Sequence, residues 1–260
     1  MTIPFFKYQG TGNDFVMIDN RSLTFPKTDK ALVARLCDRK FGIGGDGLIL
    51  LEHHDTADFR MIYYNADGNE STMCGNGGRC LVAFAKRLGV ITNTATFEAI
   101  DGMHTALIKD NIVELQMQDV ACSTIKKADT FTFLDTGSPH HVQMVENLSA
   151  YDVFSEGRKL RNGELYGKAG SNINFIESQG ENTFSVRTYE RGVEDETLSC
   201  GTGVTAVAIA MHELGKTKSN EVTTEVEGGT LRVRFTKTDH AYTNVFLIGP
   251  GTFVFKGEIK

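Results

Sequence analysis

Apolar and polar positions alternate with a period of two along much of the chain, which is the pattern of half-buried strands. Such stretches are expected at Ile3–Gln9 and Phe15–Asn20, around the turn Gly10-Thr-Gly-Asn-Asp14, and again at Leu48–Glu52 and Asp58–Asn65. Others follow at Thr94–Ala99, His104–Lys109, Ile112–Gln118, Thr130–Asp135, His141–Val145, Asn172–Glu177 and Thr183–Tyr189, with more strands to the C-terminus. Helical spacing is rarer. It predicts a helix over Asp29–Lys40, with Asp29 as its N-cap and Leu32, Val33 and Leu36 on one face, and another near Ala150–Leu160. Two further helices differ in kind. Cys80-Leu-Val-Ala-Phe-Ala, running to Leu88, and Val204-Thr-Ala-Val-Ala-Ile-Ala-Met, running to Leu214, are apolar nearly all round and are expected to be buried on every face. Many strands with few helices, laid out twice, predict an α+β fold of two similar halves. The expected division is 1–119, joined by a returning strand at 250–260, and 120–249.

The repeat is sharpest around two cysteines about half the chain apart. Tyr64-Asn65-Ala-Asp-Gly-Asn-Glu-Ser-Thr-Met-Cys74-Gly75-Asn76-Gly77 answers to Tyr189-Glu190-Arg191-Gly-Val-Glu-Asp-Glu-Thr-Leu-Ser-Cys200-Gly201-Thr202-Gly203. The second spacing is one residue longer. A thiol at a helix start sits among N–H donors at the positive end of the helix dipole, which raises its thiolate fraction. The glycines after each cysteine let an anion approach the backbone. One thiol in each half suggests two thiols facing each other across a pseudo-twofold, at a cleft between the halves. Such a pair could take a proton from one face of a carbon and return one to the other.

Composition narrows the setting. The chain has 260 residues, 40% hydrophobic and 23% charged, with a formal net charge of −6 and a pI near 5.7. This acidic balance argues against nucleic acid or a membrane surface as partner. No apolar run reaches the ~18 residues of a membrane span, and the opening Met1-Thr-Ile-Pro-Phe-Phe-Lys-Tyr lacks the order of a signal peptide. A cytoplasmic protein is expected. Five cysteines (Cys37, Cys74, Cys80, Cys122, Cys200) at scattered spacings form neither a disulfide framework nor a zinc quartet, so no metal is expected. Cys37, Cys80 and Cys122 are read as small buried hydrophobes.

Other signals carry less. Gly42-Ile-Gly-Gly-Asp-Gly47 matches the dinucleotide fingerprint, but with a helix before it and a strand after it, so it reads as a tight loop. Glu190-Arg191 is either solvated surface or a clamp for an ammonium and a carboxylate. Asn13, Asn65, Asn76 and Asn172 are turn residues when taken singly. His140, after the turn Gly137-Ser-Pro139, is read as either structural or catalytic.

Together these blocks resemble the diaminopimelate epimerase family of cofactor-independent amino-acid racemases. The resemblance runs through Thr11-Gly-Asn-Asp-Phe15, Phe41-Gly-Ile-Gly-Gly-Asp-Gly47, Tyr64-Asn-Ala-Asp-Gly68, Met73-Cys-Gly-Asn-Gly-Gly-Arg79, Gly137-Ser-Pro-His140, Tyr189-Glu-Arg-Gly192 and Ser199-Cys-Gly-Thr-Gly203. It implies two pseudo-symmetric domains, each a curled, mostly antiparallel sheet around a central buried helix, in a homodimer. It implies interconversion of LL- and meso-diaminopimelate, on the route to lysine and peptidoglycan precursors, without pyridoxal phosphate or metal. By motif, Cys74 and Cys200 would be the acid/base thiols. His140 and Glu190 would be auxiliary residues beside them. Asn13, Asn65, Gly75, Asn76, Asn172, Glu190, Arg191, Gly201 and Thr202 would bind the substrate.

The chain departs from that family at three places. Gly47 stands where many members have Gln, Ser138 where Asn is common, and Glu194-Asp195 where a single Gly is commoner. Proline or hydroxyproline racemases share the thiol logic but usually carry His where Asn76 stands. Isomerases of the phenazine-pathway type replace the first cysteine with a carboxylate. A thiol redox sensor or metabolite binder is the reading from another class, and two facing thiols could also oxidise to a disulfide.

Overall fold

A computed structural model describes residues 2–260. Met1, which opens the segment read above as lacking a signal peptide, lies outside them. The chain divides into two compact units, one running through Leu115 and completed by Gly249–Lys260, the other Gln116–Ile248.

In the first unit, β1 (Ile3–Gly10) and β2 (Asn13–Asp19) form a hairpin. Thr11 and Gly12 both take positive φ, 53° and 88°, as a two-residue loop joining twisted strands requires. A short helix, α1 (Lys30–Cys37), crosses to β3 (Gly47–Glu52), which lies parallel to β2. β4 (Phe59–Asn65) runs back along β3, and α2 (Gly75–Arg87) then crosses to β5 (Thr94–Ala99), parallel to β4. β6 (Gly102–Lys109) and β7 (Ile112–Gln116) follow as antiparallel neighbours. The last strand of the chain, Thr252–Ile259, returns to pair antiparallel with β1. Helix α2 packs against β1, β2, β3, β6 and that last strand, so the sheet curls around it.

The second unit opens with two short strands, β8 (Val120–Ala121) and β9 (Lys126–Lys127). β10 (Thr132–Asp135) and β11 (Pro139–Met144) are antiparallel, α3 (Val153–Arg161) crosses, and β12 (Asn172–Ser178) lies parallel to β11. β13 (Thr183–Glu190) runs back along β12. After it come the short β14 (Asp195–Thr197) and then α4 (Gly201–Glu213), which crosses to β15 (Glu221–Val226), parallel to β13. β16 (Gly229–Lys237) and β17 (Ala241–Pro250) continue antiparallel. Apart from the short β14, the succession of antiparallel and parallel pairings from β10 to β17 matches that from β1 to β7. Helix α4 packs against β10 to β13, β15 and β16, and its residues Val204 and Ala206–Met211 sit in one apolar core with Leu134, Val142, Val186, Val222, Val233 and Leu247.

This is the α+β fold expected from the alternation, with two corrections to the helices. The predicted helix 29–40 ends at Cys37, because Asp38 turns extended and its carboxylate accepts from the Lys40 and Phe41 N–H groups instead. Asp29 does cap its start, accepting from the Leu32 N–H at 2.9 Å. The predicted helix 150–160 begins only at Val153. Asp152 caps it through the Ser155 N–H, and Leu148–Ala150 forms a separate 3₁₀ turn.

Candidate active site

Each cysteine of the repeat is the N-cap of the buried helix of its own unit. Cys74 and Cys200 hold extended backbone, with φ −111°, ψ 124° and φ −119°, ψ 110°, before α2 and α4. Their carbonyls accept the first helical bonds, from Gly78 N–H at 2.7 Å and Val204 N–H at 3.0 Å. Gly75, Asn76, Gly201 and Thr202 therefore lie in the first turns, where N–H groups have no acceptor within the helix. Burial of both helices fixes these starts in place.

In the first unit the Cys74 thiol donates to Asn13 Oδ1 at 3.6 Å, and Asn76 Nδ2 donates to the same oxygen at 3.4 Å. The Asn13 amide is oriented by Asp46, whose carboxylate accepts from Asn13 Nδ2. Asp46 in turn belongs to a charged cluster. Arg39 pairs with it at 2.8 Å and with Asp14 at 2.7 Å, while Lys7 reaches Asp14 at 2.7 Å. Burial alone would raise the Asp14 carboxyl. The bonds from Arg39 and Lys7 outweigh it and hold the group well below the usual carboxylate range. The loop 42–47 carries Asp46 into this cluster, and it is a loop as expected, folded back on the carbonyls of Leu36 and Cys37. Gly42 has no room for a side chain, since a Cβ would lie 1.9 Å from the Arg35 carbonyl oxygen. At Gly47 a Cβ would come within 2.5 Å of the Tyr63 ring and 2.6 Å of the Tyr64 carbonyl oxygen. Tyr63 thus fills the space where a longer residue would project.

Beneath Cys74, Arg79 is fully buried on α2. It donates to the Gly75 and Pro250 carbonyls and to Thr11 Oγ1, at 3.3, 3.4 and 3.3 Å, tying the helix start to the hairpin and the returning chain. Burial lowers its pKa to about 10, which leaves it cationic at neutral pH. Asn65 ends β4 with its side chain exposed, its N–H bonded to the Asn69 carbonyl.

In the second unit a chain of side chains leads to Cys200. Thr202 Oγ1 lies 3.6 Å from Cys200 Sγ and 2.9 Å from His140 Nε2. His140 Nδ1 lies 3.1 Å from Asn174 Nδ2, which also donates to the His141 carbonyl at 2.8 Å. Thr188 donates to Asn174 Oδ1 at 3.0 Å, and Thr136 donates to the Thr202 carbonyl at 2.8 Å. His140 is fully buried. Burial first, and then the Arg191 guanidinium, push its imidazole down to about 3, so the ring is neutral. Gly203 makes room for this arrangement, as a Cβ there would meet Asn174 Oδ1 at 2.6 Å.

Asn172, Ser138 and Arg191 form a second cluster in this unit. Asn172 Nδ2 donates to Ser138 Oγ at 2.9 Å and to the Pro139 carbonyl at 3.1 Å, and Asn172 Oδ1 accepts from the Arg191 N–H at 2.9 Å. The Arg191 guanidinium reaches the Ala169 carbonyl at 3.2 Å and Ser138 Oγ at 3.5 Å. Ser138 is thus the shared acceptor of the pair. Glu190 accepts from Thr197 Oγ1 at 3.0 Å across the hairpin of β13 and β14. The Glu194-Asp195 insertion closes that hairpin, with Glu194 at φ 60° and its carboxylate 2.9 Å from Arg161.

The structure therefore gathers Asn13, Cys74, Gly75 and Asn76 in one unit, and His140, Asn172, Arg191, Cys200, Gly201 and Thr202 in the other. Sequence reasoning passed over Asn174, Thr136, Thr188, Asp46 and Tyr63. Asn174 had a signal, two residues after Asn172 on the same face of a strand. The other cysteines stand apart: burial pushes Cys37 and Cys80 up to about 12, and Cys122 accepts from the Lys237 ammonium at 2.7 Å. Among the described residues, no group of three or more His, Cys, Asp or Glu side chains is placed to hold a metal, and no helix is long and apolar enough to cross a membrane.

The diaminopimelate epimerase family profile matches residues 5–121 and 132–254. A diaminopimelate epimerase of Flavobacterium psychrophilum is 60% identical over 98% of this chain and 99% of its own length. One from Chlorobaculum tepidum is 44% identical over 96% and 98%. Among solved structures, a Bacillus anthracis phenazine biosynthesis protein of the PhzF family has a TM-score of 0.77 at 17% identity, covering 100% of this chain and 99% of that one. A probable proline racemase from Agrobacterium radiobacter, with bound carbonate, has a TM-score of 0.72 at 16% identity over 99% and 93%. These two likenesses are of fold.

Proposed function

We propose that this chain, which belongs to the diaminopimelate epimerase family, interconverts LL- and meso-diaminopimelate, with Cys74 and Cys200 as its acid/base pair. The observation that carries the reading is the duplicated thiol. In both units a Cys-Gly-x-Gly places a cysteine at the start of a buried helix, and the relatives that match nearly the whole chain are named for this reaction.

The chemistry follows from the α-carbon of an amino acid, whose proton is removed only if the resulting charge is stabilised. A carboxylate bound at the helix starts, by Gly75, Asn76, Gly201 and Thr202, meets N–H donors and positive dipole ends. The electron pair left by deprotonation passes into that carboxylate as an enediolate, which these donors stabilise more than the ground state. One cysteine, as thiolate, takes the α-proton from one face, and the other, as thiol, gives its proton to the opposite face. The reverse reaction exchanges the roles. Asn13, Asn65, Asn172, Glu190 and Arg191 hold the amino and carboxylate groups of the substrate, with His140 and Glu190 auxiliary to the thiols. No pyridoxal phosphate or metal takes part.

The product serves lysine and peptidoglycan precursor synthesis. A reaction that needs free thiols suits the reducing cytoplasm. The exposed Val254 and Phe255 of the last strand favour a homodimer, and the net charge of −6 argues against nucleic acid or a membrane surface as partner.

The test is turnover of LL-diaminopimelate by the reduced enzyme with a chelator and no added cofactor, with L-proline in parallel. Conversion of diaminopimelate alone is expected, abolished in Cys74→Ala and in Cys200→Ala while circular dichroism stays native. Wild-type turnover in either variant would sink the reading.

A further inference from the structure

The bonds around His140 fix more than its burial. The Asn174 amide has only one orientation that satisfies its neighbours. The His141 carbonyl can only accept, so the nitrogen Nδ2 must face it, and the same nitrogen lies 3.1 Å from His140 Nδ1. The opposite end, Oδ1, is occupied by the Thr188 hydroxyl. A donor at Nδ1 requires that ring nitrogen to be bare, and a neutral imidazole then carries its proton on Nε2. Nε2–H points at Thr202 Oγ1, 2.9 Å away. The hydroxyl, with a lone pair engaged by the ring, directs its own proton elsewhere, and Cys200 Sγ lies 3.6 Å off.

We propose that Asn174 is a positioning residue: by donating to Nδ1 it holds His140 as the Nε2–H tautomer, and so turns the Thr202 hydroxyl proton toward Cys200 Sγ, where it stabilises the thiolate. The proposal rests on the reading of Cys200 as a reacting thiol. Asn174 acts here through two intermediaries, the His140 ring and the Thr202 hydroxyl. A tautomer with Nδ1–H would reverse the polarity, drawing the Thr202 proton onto the ring and away from sulfur.

The charged and titratable groups nearby are compatible with this polarity. Arg191, the residue after β13, is the charge that acts on His140, and it disfavours an imidazolium. His141, next on β11, has its ring nitrogens directed at Tyr166 and Gln143, and Glu190 takes the Thr197 hydroxyl. Neutral His140 is thus a fixed donor rather than a proton carrier. Gly203 leaves the Asn174 amide its place against the cysteine turn.

Two readouts test this without turnover, so its failure is distinguishable from failure of the proposed reaction. The first is the nitrogen NMR spectrum of ¹⁵N-histidine-labelled enzyme, where His140 is expected to show a protonated Nε2 and a bare Nδ1 across neutral pH. The second is the pH profile of iodoacetamide alkylation at Cys200, followed on its own peptide by mass spectrometry. Thr202→Val should shift that profile up by about one pH unit, a roughly tenfold loss of thiolate at a given neutral pH, with the His140 tautomer unchanged. Thr202→Ser should restore the wild-type profile. Asn174→Leu should shift the profile the same way while the protonated-Nε2 signature is lost. A proton on Nδ1 in the wild type, or a Thr202→Val profile that coincides with the wild type, overturns the proposal, and both can be read whether or not the Asn174 variant folds.

Discussion

Five cysteines lie in this chain, and their surroundings separate them. Cys37 and Cys80 sit in apolar packing that resists ionisation, whereas Cys74 and Cys200 stand at helix starts with polar side chains against the sulfur. The neighbours of those two differ. Cys74 faces an amide oxygen oriented by Asp46, and Cys200 faces a hydroxyl backed by a neutral imidazole. Arg191 shows how a residue type matters at this scale. Its guanidinium spans the Ala169 carbonyl and Ser138 Oγ while its N–H holds Asn172. A lysine keeps the charge but not the planar fork. Arg191→Lys is expected to raise KM for diaminopimelate on the order of tenfold, a loss of about 1.4 kcal/mol, with a smaller change in kcat. Steady-state kinetics check this, and an unchanged KM would remove Arg191 from substrate binding.

At the scale of elements, the cysteine helices were legible because a helix apolar on every face can only lie inside a fold. The strands were legible through their alternation. What escaped were the segments held by side-chain bonds rather than by periodicity. Asp38 ends α1 by capturing two N–H groups, and β14 is three residues long and set by the Glu194 turn. The polar network behind His140 was equally hidden, since Asn174 and Thr188 meet only when β12 and β13 pair, and Thr136 reaches the Thr202 carbonyl from the turn between β10 and β11. The same holds for the cluster joining the first hairpin to the loop 42–47, through Asp14, Lys7, Arg39 and Asp46. Because Asp14 titrates lower in the folded protein than in the unfolded chain, it stabilises the fold above the unfolded value near ~3.9, and that contribution fades as pH falls below it. Asp14→Asn should therefore cost roughly 1.5–3 kcal/mol at neutral pH. The gap to wild type should narrow on acidification below about pH 4. Urea unfolding of both proteins at several pH values measures this, and a gap that stays constant into strong acid would contradict it.

At the scale of the whole molecule, the repeat seen around two cysteines extends to the entire topology. Both units run through the same succession of antiparallel and parallel pairings, each with a crossover helix buried in its own sheet. The likeness to PhzF-type and racemase structures at 17% and 16% identity shows that the fold persists where most side chains have changed. Identity of the reacting groups then decides the chemistry, and here both helix starts carry a thiol. The most direct test of the two-thiol account is epimerisation of LL-diaminopimelate in D₂O, stopped early and examined by proton NMR and mass spectrometry. Two opposed thiols predict deuterium at the inverted α-carbon of the meso product, while the remaining LL substrate keeps its α-proton. Equal deuterium in the product and in the recovered substrate from the first turnovers would point to a single base serving both faces, and would contradict the account.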